Sequence, residues 1–168
     1  MASGNSQINN RLCLSLFIIL FFLSIDLVNA NNWQSEMLQS VNKLRNDKGL
    51  PLLKLCKPLN QSAQNYAKTM ADGNFLSHKG KDGSTPGDRM QSSGYDWKNS
   101  KTGSIVAENI AAGQSSVNQV VKNWKNSKGH YKNMTDKKFT HVGFGMAKSS
   151  SSKYAWYWVQ NFGAGAKC

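Results

Sequence analysis

One glutamate and two histidines are the residues of this sequence best suited to form a ligand-binding or reactive site. Glu108 lies inside the apolar run Ile105–Ala112, where an ionised carboxylate is costly unless another group pairs with it. The chain has only one other glutamate, Glu36. His78 and His130 stand in separate segments on either side of Glu108 in the sequence. We expect both imidazoles to meet the carboxylate in one pocket.

Two kinds of chemistry are open to this group. Neutral imidazoles coordinate Zn²⁺, and a carboxylate can complete a three-ligand site or orient a bound water. His78 and His130 with Glu108 would meet that count, so Zn²⁺ or another divalent cation is a candidate cofactor and a metal-dependent hydrolase the corresponding activity. Alternatively, the three groups hydrogen-bond to one another and hold the nearby loops without turnover. The sequence favours the second interpretation, because it has neither a His-Glu-x-x-His nor a Gly-x-Ser-x-Gly motif, and it assigns no catalytic residue.

The first thirty residues have the pattern of a secretory signal peptide. Arg11 precedes an apolar run, Leu12–Ile25, and small side chains lead up to Ala30. A membrane span needs about 20 apolar residues, whereas this run has fourteen. We therefore predict a signal peptide over residues 1–30 and a secreted protein that does not span a membrane. One domain over residues 31–168 is expected to follow.

The chain is strongly basic, with a formal charge of +12. Removal of the signal peptide takes away Arg11 and Asp26 together and leaves that charge unchanged. A secreted basic protein meets anionic cell-surface or cell-wall material before nucleic acid, so nucleic acid is not an expected partner. Four lysines at near-helical spacing predict a basic face, either a solvated helix surface or the contact of a cell-wall or membrane-surface adhesin. These are Lys122, Lys125, Lys128 and Lys132.

Cysteines and sequons are consistent with export. Cys13 would leave with the signal peptide, and an oxidising compartment predicts that the remaining two, Cys56 and Cys168, form a disulfide. A bond from Cys168 to a second molecule is the alternative. Asn60 and Asn133 each begin an Asn-x-Ser/Thr sequon and are candidate N-glycosylation sites.

Helical periodicity dominates the first part of the domain. Apolar residues recur at three and four from Trp33 to Leu44, and a second helix is predicted from about Pro58 to Gly73. A short helix is expected over Pro86–Gln91, and the polar segment Gly94–Gly103 is predicted to be a loop. A further amphipathic helix should begin after Ser116 and end at Gly129.

Strand patterns dominate the last part. Ser104–Ile110 is predicted as a short buried strand, and Phe139–Lys148 with Lys153–Phe162 as a hairpin. Both faces of the last strand carry large side chains, so helices should cover both sides of the sheet. Early helices, late strands and no βαβ alternation predict an α+β domain with three layers, α on β on α.

Four motifs in order resemble the CAP superfamily, which includes cysteine-rich secretory, antigen 5, pathogenesis-related 1 and microbial SCP-domain proteins. The motifs are Phe75-Leu-Ser-His78, Ala107-Glu-Asn-Ile-Ala-Ala-Gly113, Trp124-Lys-Asn-Ser-Lys-Gly-His130 with Asn133, and Thr140-His-Val-Gly-Phe-Gly145 followed by Tyr157-Trp-Val-Gln-Asn-Phe-Gly163. The resemblance covers essentially all of residues 31–168. It implies an α-β-α sandwich with a central, mostly antiparallel sheet and a cleft that holds two histidines and two acidic residues.

By this resemblance, His78, Glu108 and His130 occupy three of the four cleft positions. The fourth has no glutamate here, and Asp82 is our choice among the aspartates between His78 and Glu108. The resemblance also implies a function, because family members bind sterols or fatty acids in grooves apart from the cleft and act in defence or host interaction. The expected function is therefore extracellular binding of a sterol or fatty acid, in a groove between helices or at the loop with Tyr95 and Trp97.

Overall fold

Five helices are present in the part of the chain that the computed structural model describes, residues 33–100 and 103–168. Residues 33–46 form α1. The other helices are α2 (Lys57–Gly73), α3 (Pro86–Ser92), α4 (Val117–Asn126) and α5 (Lys128–Thr135). None of the helices described is long and apolar enough to cross a membrane. The predicted signal peptide lies outside the described residues.

The starts of the helices follow local sequence signals. Thr85 begins α3 with a capping box, in which its hydroxyl accepts from the Asp88 amide while the Asp88 carboxylate accepts from the Thr85 amide. The Ser116 side chain caps α4 by accepting from the Gln119 amide. A proline, Pro58, stands in the first turn of α2, where its missing N–H costs nothing.

The helix predicted to continue from Ser116 to Gly129 is divided in two. Ser127 has an extended backbone, with φ −104° and ψ 119°, and separates α4 from α5. Gly129 therefore lies inside α5 instead of ending a helix. This break divides the four lysines predicted to share one basic face between two helices, although all four side chains are exposed.

A four-stranded sheet forms the middle layer. Its strands are β1 (Lys54–Leu55), β2 (Ile105–Ala112), β3 (His141–Lys148) and β4 (Trp156–Ala164), and their order is β1-β3-β4-β2. The two long pairings, β3 with β4 and β4 with β2, are antiparallel, and the short β1 runs parallel to β3. The predicted α+β class and the mostly antiparallel sheet are confirmed.

Helix α2 lies directly on one face of the sheet because two glycines of β3 leave room for it. A Cβ atom added to Gly143 would lie 2.1 Å from the backbone of Leu59, and one added to Gly145 would lie 2.2 Å from that of Ala63. Such approaches are impossible for any residue with a side chain. On the same face, Tyr157 of β4 packs in the core with the buried residues of α2.

The opposite face of the sheet carries α5. Asn109, one residue along from the α2-facing Ile110, donates to Gln160 at 3.1 Å and accepts from Asn133 of α5 at 2.8 Å. Alternate residues of β2 therefore face different helical layers, as the period of a strand requires. The predicted α on β on α layering is confirmed.

A fully buried arginine, Arg45, connects α1 to the last turn of α5, to the segment after α5 and to the segment before β1. The Arg45 guanidinium donates to the carbonyl oxygens of Pro51 at 2.8 Å, Met134 at 3.1 Å, Asp136 at 3.0 Å and Phe139 at 3.1 Å. Burial lowers the pKa of Arg45, and the charge of Asp136 acts against that change. We call this set of bonds the Arg45 clamp.

The disulfide predicted between Cys56 and Cys168 is confirmed. Cys56 is buried at the start of α2, and the bond joins residues 112 apart in the sequence. It therefore ties the end of the chain to the helix that packs against the sheet. In the chain-entropy description, closing a loop of that length stabilises a fold by up to roughly 5 kcal/mol.

Candidate functional site

Two of the predicted site residues, His78 and Glu108, meet at one edge of the sheet, and the His130 backbone lies against the same strand. Strand β2 is the last strand in the sheet order, and Glu108 lies in it on the face of Ile110, towards the α2 layer. His78 follows α2 in a loop, and His130 lies in α5, which belongs to the other layer. The edge strand is thus the place where loops from both layers can meet. We call this arrangement of His78, Glu108 and His130 the cleft.

Glu108 is a buried carboxylate with two partners. Its side chain is 1% exposed. The Oε1 atom lies 2.9 Å from Nδ1 of His78, and Nη2 of Arg89 donates to both oxygens, at 3.1 Å to Oε1 and 2.9 Å to Oε2. A charge removed from water in this way needs such compensation. The structure therefore supplies the compensation that the apolar setting of Glu108 requires. Arg89 provides two of the three hydrogen bonds and His78 provides the third.

Arg89, which lies in α3, is held by the same loop that carries His78. Its Nη1 donates to the Ser84 carbonyl at 3.0 Å, and its Nη2 donates to the His78 carbonyl at 3.0 Å. The guanidinium carbon lies 3.3 Å from the ring centroid of Tyr66, close enough for a cation–π contact. Arg89 thus joins α2, α3 and the His78 loop at Glu108.

The sequence contained a signal for Arg89 that we did not use. Only three arginines occur in the chain, and Arg11 belongs to the predicted signal peptide. A buried glutamate is most readily compensated by the bidentate fork of an arginine. Arg45 and Arg89 were therefore the two candidates, and Arg89 is the nearer to Glu108 in the sequence.

His130 approaches the cleft from α5. Burial lowers the pKa of His130, and the charge of His78 lowers it further. The Nδ1 atom of His130 is buried and has no hydrogen-bond partner among the described residues. The position of α5 is fixed by Asn133, which donates to Asn109, and by Asn109, whose Nδ2 donates to the His130 carbonyl at 3.2 Å.

Asp82, our choice for the fourth cleft residue, is occupied within its own loop. Its Oδ1 accepts from the Ser84 amide at 3.0 Å, and this hydrogen bond is the main reason that the pKa of Asp82 is lowered. Within residues 33–100 and 103–168, no hydrogen bond or ion pair links Asp82 to Glu108 or to either imidazole. The polar group beside Glu108 is instead the cation of Arg89.

The donor set does not fit a three-ligand metal site. Both oxygens of Glu108 already accept from Arg89, and Nδ1 of His78 is engaged with Oε1. A cation entering there would have to displace a guanidinium that carries the same sign of charge. The described residues contain no group of three or more His, Cys, Asp or Glu placed to hold a metal ion. Zinc binding by His78 and His130 with Glu108 stays a prediction.

Both sequon asparagines make tertiary hydrogen bonds through their side chains. Asn60 accepts from the Phe144 amide at 2.8 Å through Oδ1. The Nδ2 atom of Asn133, to which a glycan would be attached, donates to Asn109 at 2.8 Å and to the Glu108 carbonyl at 3.4 Å. In the folded protein, a glycan on Asn133 would have to enter the contact between α5 and β2.

The profile of the Cysteine-rich secretory protein family, CAP, matches residues 38–162. The chain belongs to the CAP family. Among curated proteins, the uncharacterized protein YkwD of Bacillus subtilis is 34% identical over 134 residues, which are 80% of this chain and 48% of that protein. The human Golgi-associated plant pathogenesis-related protein 1 is 29% identical over 122 residues, which are 72% of this CAP chain and 77% of that protein.

Solved structures show the same fold. An extracellular protein containing an SCP domain from Bacillus anthracis has a TM-score of 0.65 and 30% identity, over 79% of this chain and 40% of that one. An outer surface protein from Borrelia burgdorferi has a TM-score of 0.64 at 22% identity, over 77% of this chain and 90% of that one. The CAP chain spans less than half the length of two of these relatives, 48% of YkwD and 40% of the Bacillus anthracis chain.

Proposed function

We propose that this CAP protein is a secreted, non-catalytic binding protein for a lipid, and that the lipid lies in a groove between α1 and α4. The observation that carries the proposal is the groove itself, which has a volume of about 360 Å³. That volume is within the range of small-molecule sites, roughly 300 to 1,000 Å³. We call it the α1–α4 groove.

The side chains of the α1–α4 groove favour an amphiphile with a negative head group. Leu44 and Val121 are buried apolar residues in its lining, and Lys43, Lys122 and Lys125 supply positive charge. Lys43 is paired with Asp47 at 3.0 Å, whereas Lys122 and Lys125 form no salt bridge among the described residues. An acyl chain would cover the apolar side chains while a carboxylate meets the free lysines. Among the lipids expected from the sequence, a fatty acid therefore suits this groove better than an uncharged sterol.

The cleft supports binding over catalysis. A general base must be able to accept a proton from a reactant, and Glu108 already accepts three hydrogen bonds while its side chain is 1% exposed. The α1–α4 groove lies on other elements, so lipid binding requires nothing from His78, Glu108 or His130.

Titration calorimetry with palmitate would test the proposal. Asn118→Trp places an indole in the groove from an exposed position and should abolish binding, while Lys122→Glu with Lys125→Glu should weaken it roughly tenfold or more. Lys128→Glu with Lys132→Glu, an equivalent charge change on exposed α5, is the matched control and should bind normally. Binding should also survive His78→Ala. The proposed groove is refuted if the wild-type protein binds no palmitate, or if the Asn118→Trp variant binds it as tightly as the wild type.

The export part of the proposal has its own test. Expression of the full chain in a eukaryotic secretory host should release a protein into the medium whose amino terminus is Asn31. Retention of the whole chain inside the cell, with residues 1–30 still attached, would contradict it.

A further inference from the structure

A second groove adjoins the cleft, and most of its lining is apolar although His78 and Glu108 stand at one end. It has a volume of about 410 Å³ and runs from His78 and Glu108 to Pro86, Trp97 and Val106. We call it the Trp97 groove. Its polar end is the cleft, and its other side chains present an indole, a proline ring and a valine. A ligand here must therefore combine an apolar surface with a polar edge.

Trp97 is fixed in place before any ligand arrives. Its Nε1 donates to the Gly87 carbonyl at 2.9 Å, and a Cβ atom added to Gly87 would lie 2.6 Å from the indole. The absence of a side chain at Gly87 thus lets the ring lie against α3. Lys98, the next residue, forms an ion pair with Asp88 of α3 at 2.7 Å. A fixed aromatic ring loses little entropy on binding, which favours a stacking role.

The hydrogen bond between His78 and Glu108 determines what His78 offers to a ligand. An ionised carboxylate only accepts hydrogen bonds, so Nδ1 of His78 must carry the proton that it donates to Oε1 at 2.9 Å. In the neutral imidazole the other nitrogen, Nε2, is then an acceptor. The His78 side chain is 51% exposed, so a ligand can reach it. The group that fits is a hydroxyl.

Charge pairing in the cleft favours a ligand without net charge. Glu108 and Arg89 compensate each other, and their side chains are 1% and 12% exposed. Neither is therefore available to attract an ion. The remaining polar side chains of the groove are the imidazole of His78 and the hydroxyl of Thr85, which is exposed.

From these observations we propose that the Trp97 groove binds a pyranose ring of a neutral saccharide. The apolar face of the sugar stacks on the indole of Trp97, and one of its hydroxyls donates to Nε2 of His78. Consecutive residues of β2, Val106 to Glu108, line the groove, and this extended wall suits an internal residue of a β-linked chain, whose flat rings present such faces. This site is separate from the α1–α4 groove and does not rest on the proposed lipid function.

The proposal is tested by measuring the binding of cellohexaose and chitohexaose to the full protein. Calorimetry gives the affinity, and the NMR signal of the Trp97 indole N–H reports the site. We expect millimolar or tighter binding of at least one oligosaccharide that shifts this signal and is insensitive to salt. Trp97→Ala should weaken binding roughly tenfold, which corresponds to about 1.4 kcal/mol. His78→Ala should weaken it while leaving palmitate binding intact.

The matched control is Trp156→Ala, which removes a half-buried indole from β4. It should bind both oligosaccharides as the wild type does. Circular dichroism of every variant confirms that the fold is kept, and His78→Gln, which retains an acceptor, should recover part of the loss. If neither oligosaccharide binds, or if Trp97→Ala and Trp156→Ala behave alike, the proposal is wrong.

Discussion

The two arginines of the domain are both removed from water, yet they have opposite kinds of partner. Arg45 is fully buried and donates to four backbone carbonyls, and it forms no salt bridge with a carboxylate in the part of the chain that the structure describes. Arg89 is slightly exposed and pairs with the carboxylate of Glu108. Neutral carbonyls fixed by the fold can only hold a cation in place. A carboxylate can also exchange one partner for another, so a substitution at Arg89 can change what Glu108 binds.

The largest effect should come from Arg45→Met, which leaves the carbonyls of the Arg45 clamp without donors. Each buried polar group that loses its partner costs about 1 to 3 kcal/mol, so we expect a loss of roughly 3 to 5 kcal/mol in the free energy of unfolding. Urea denaturation measures it. Lys43→Ala, on the exposed side of the same helix, should cost less than about 0.5 kcal/mol. Equal losses for the two variants would show that the clamp is not structural.

Removal of the disulfide should come next in size. Cys56→Ala with Cys168→Ala should lower the free energy of unfolding by roughly 2 to 4 kcal/mol, because the unfolded chain regains the entropy of a long open loop. Thermal or urea unfolding gives the value, and the non-reduced wild type is the reference. The Arg45 clamp does not involve this bond, so the losses from the two changes should add. Strong non-additivity would mean that the clamp and the disulfide stabilise one cooperative element.

Arg89→Gln should sharpen the contrast with Arg45. We expect a loss of about 2 kcal/mol, less than for Arg45→Met, because His78 still pairs with Glu108. The freed carboxylate should then bind Zn²⁺ more tightly than the wild type does, which zinc titration would detect. Arg89→Gln combined with Glu108→Gln is the control and should lose that gain. If Arg89→Gln leaves zinc affinity unchanged, the guanidinium is not what keeps a cation out of the cleft.

The pH dependence of stability should reflect the histidines. Burial and the charge of His78 lower the pKa of His130, so below its unfolded pKa of about 6.5 the unfolded chain takes up a proton that the folded chain resists. Stability should therefore fall as the pH is lowered from 7 towards 5. His130→Gln should flatten that slope. Burial also lowers the pKa of His141, so His141→Gln should flatten it too, and a slope unaffected by either change would contradict these shifts.

The smallest effect concerns the sequons. Expressed in a host that performs N-glycosylation, the folded protein should carry no glycan on Asn133, because its Nδ2 is used between α5 and β2. Intact mass measurement shows this directly. Thr135→Ala destroys the sequon but keeps Asn133. The mass of this variant should differ from that of the wild type only by the Thr-to-Ala difference. A glycan found on Asn133 would contradict the hydrogen bonds that its Nδ2 makes to Asn109 and to the Glu108 carbonyl.

Much of the fold was predictable because local patterns report burial directly. The helix from Pro58 to Gly73 and the two strands of the final hairpin were predicted close to their observed bounds, since the helix has one apolar face and the strands are aromatic and β-branched runs. The break at Ser127 was not, because the sequence continues in helical composition through Gly129. The choice between one helix and two depends on how α5 packs against β2 through Asn133.

The sequence by itself determined that Glu108 needs a partner, because an acid within an apolar run cannot stay charged alone, and it limited the arginines available to two. It also predicted the disulfide, since only two cysteines follow the predicted signal peptide, and the structure decided for the bond within the chain over a bond to a second molecule. Only the tertiary structure decided that Arg89 takes the place beside Glu108 while Asp82 stays in its own loop. The reason is geometric, because pairing across loops depends on which side chains the packed layers bring to the edge of β2, and sequence spacing does not encode that distance.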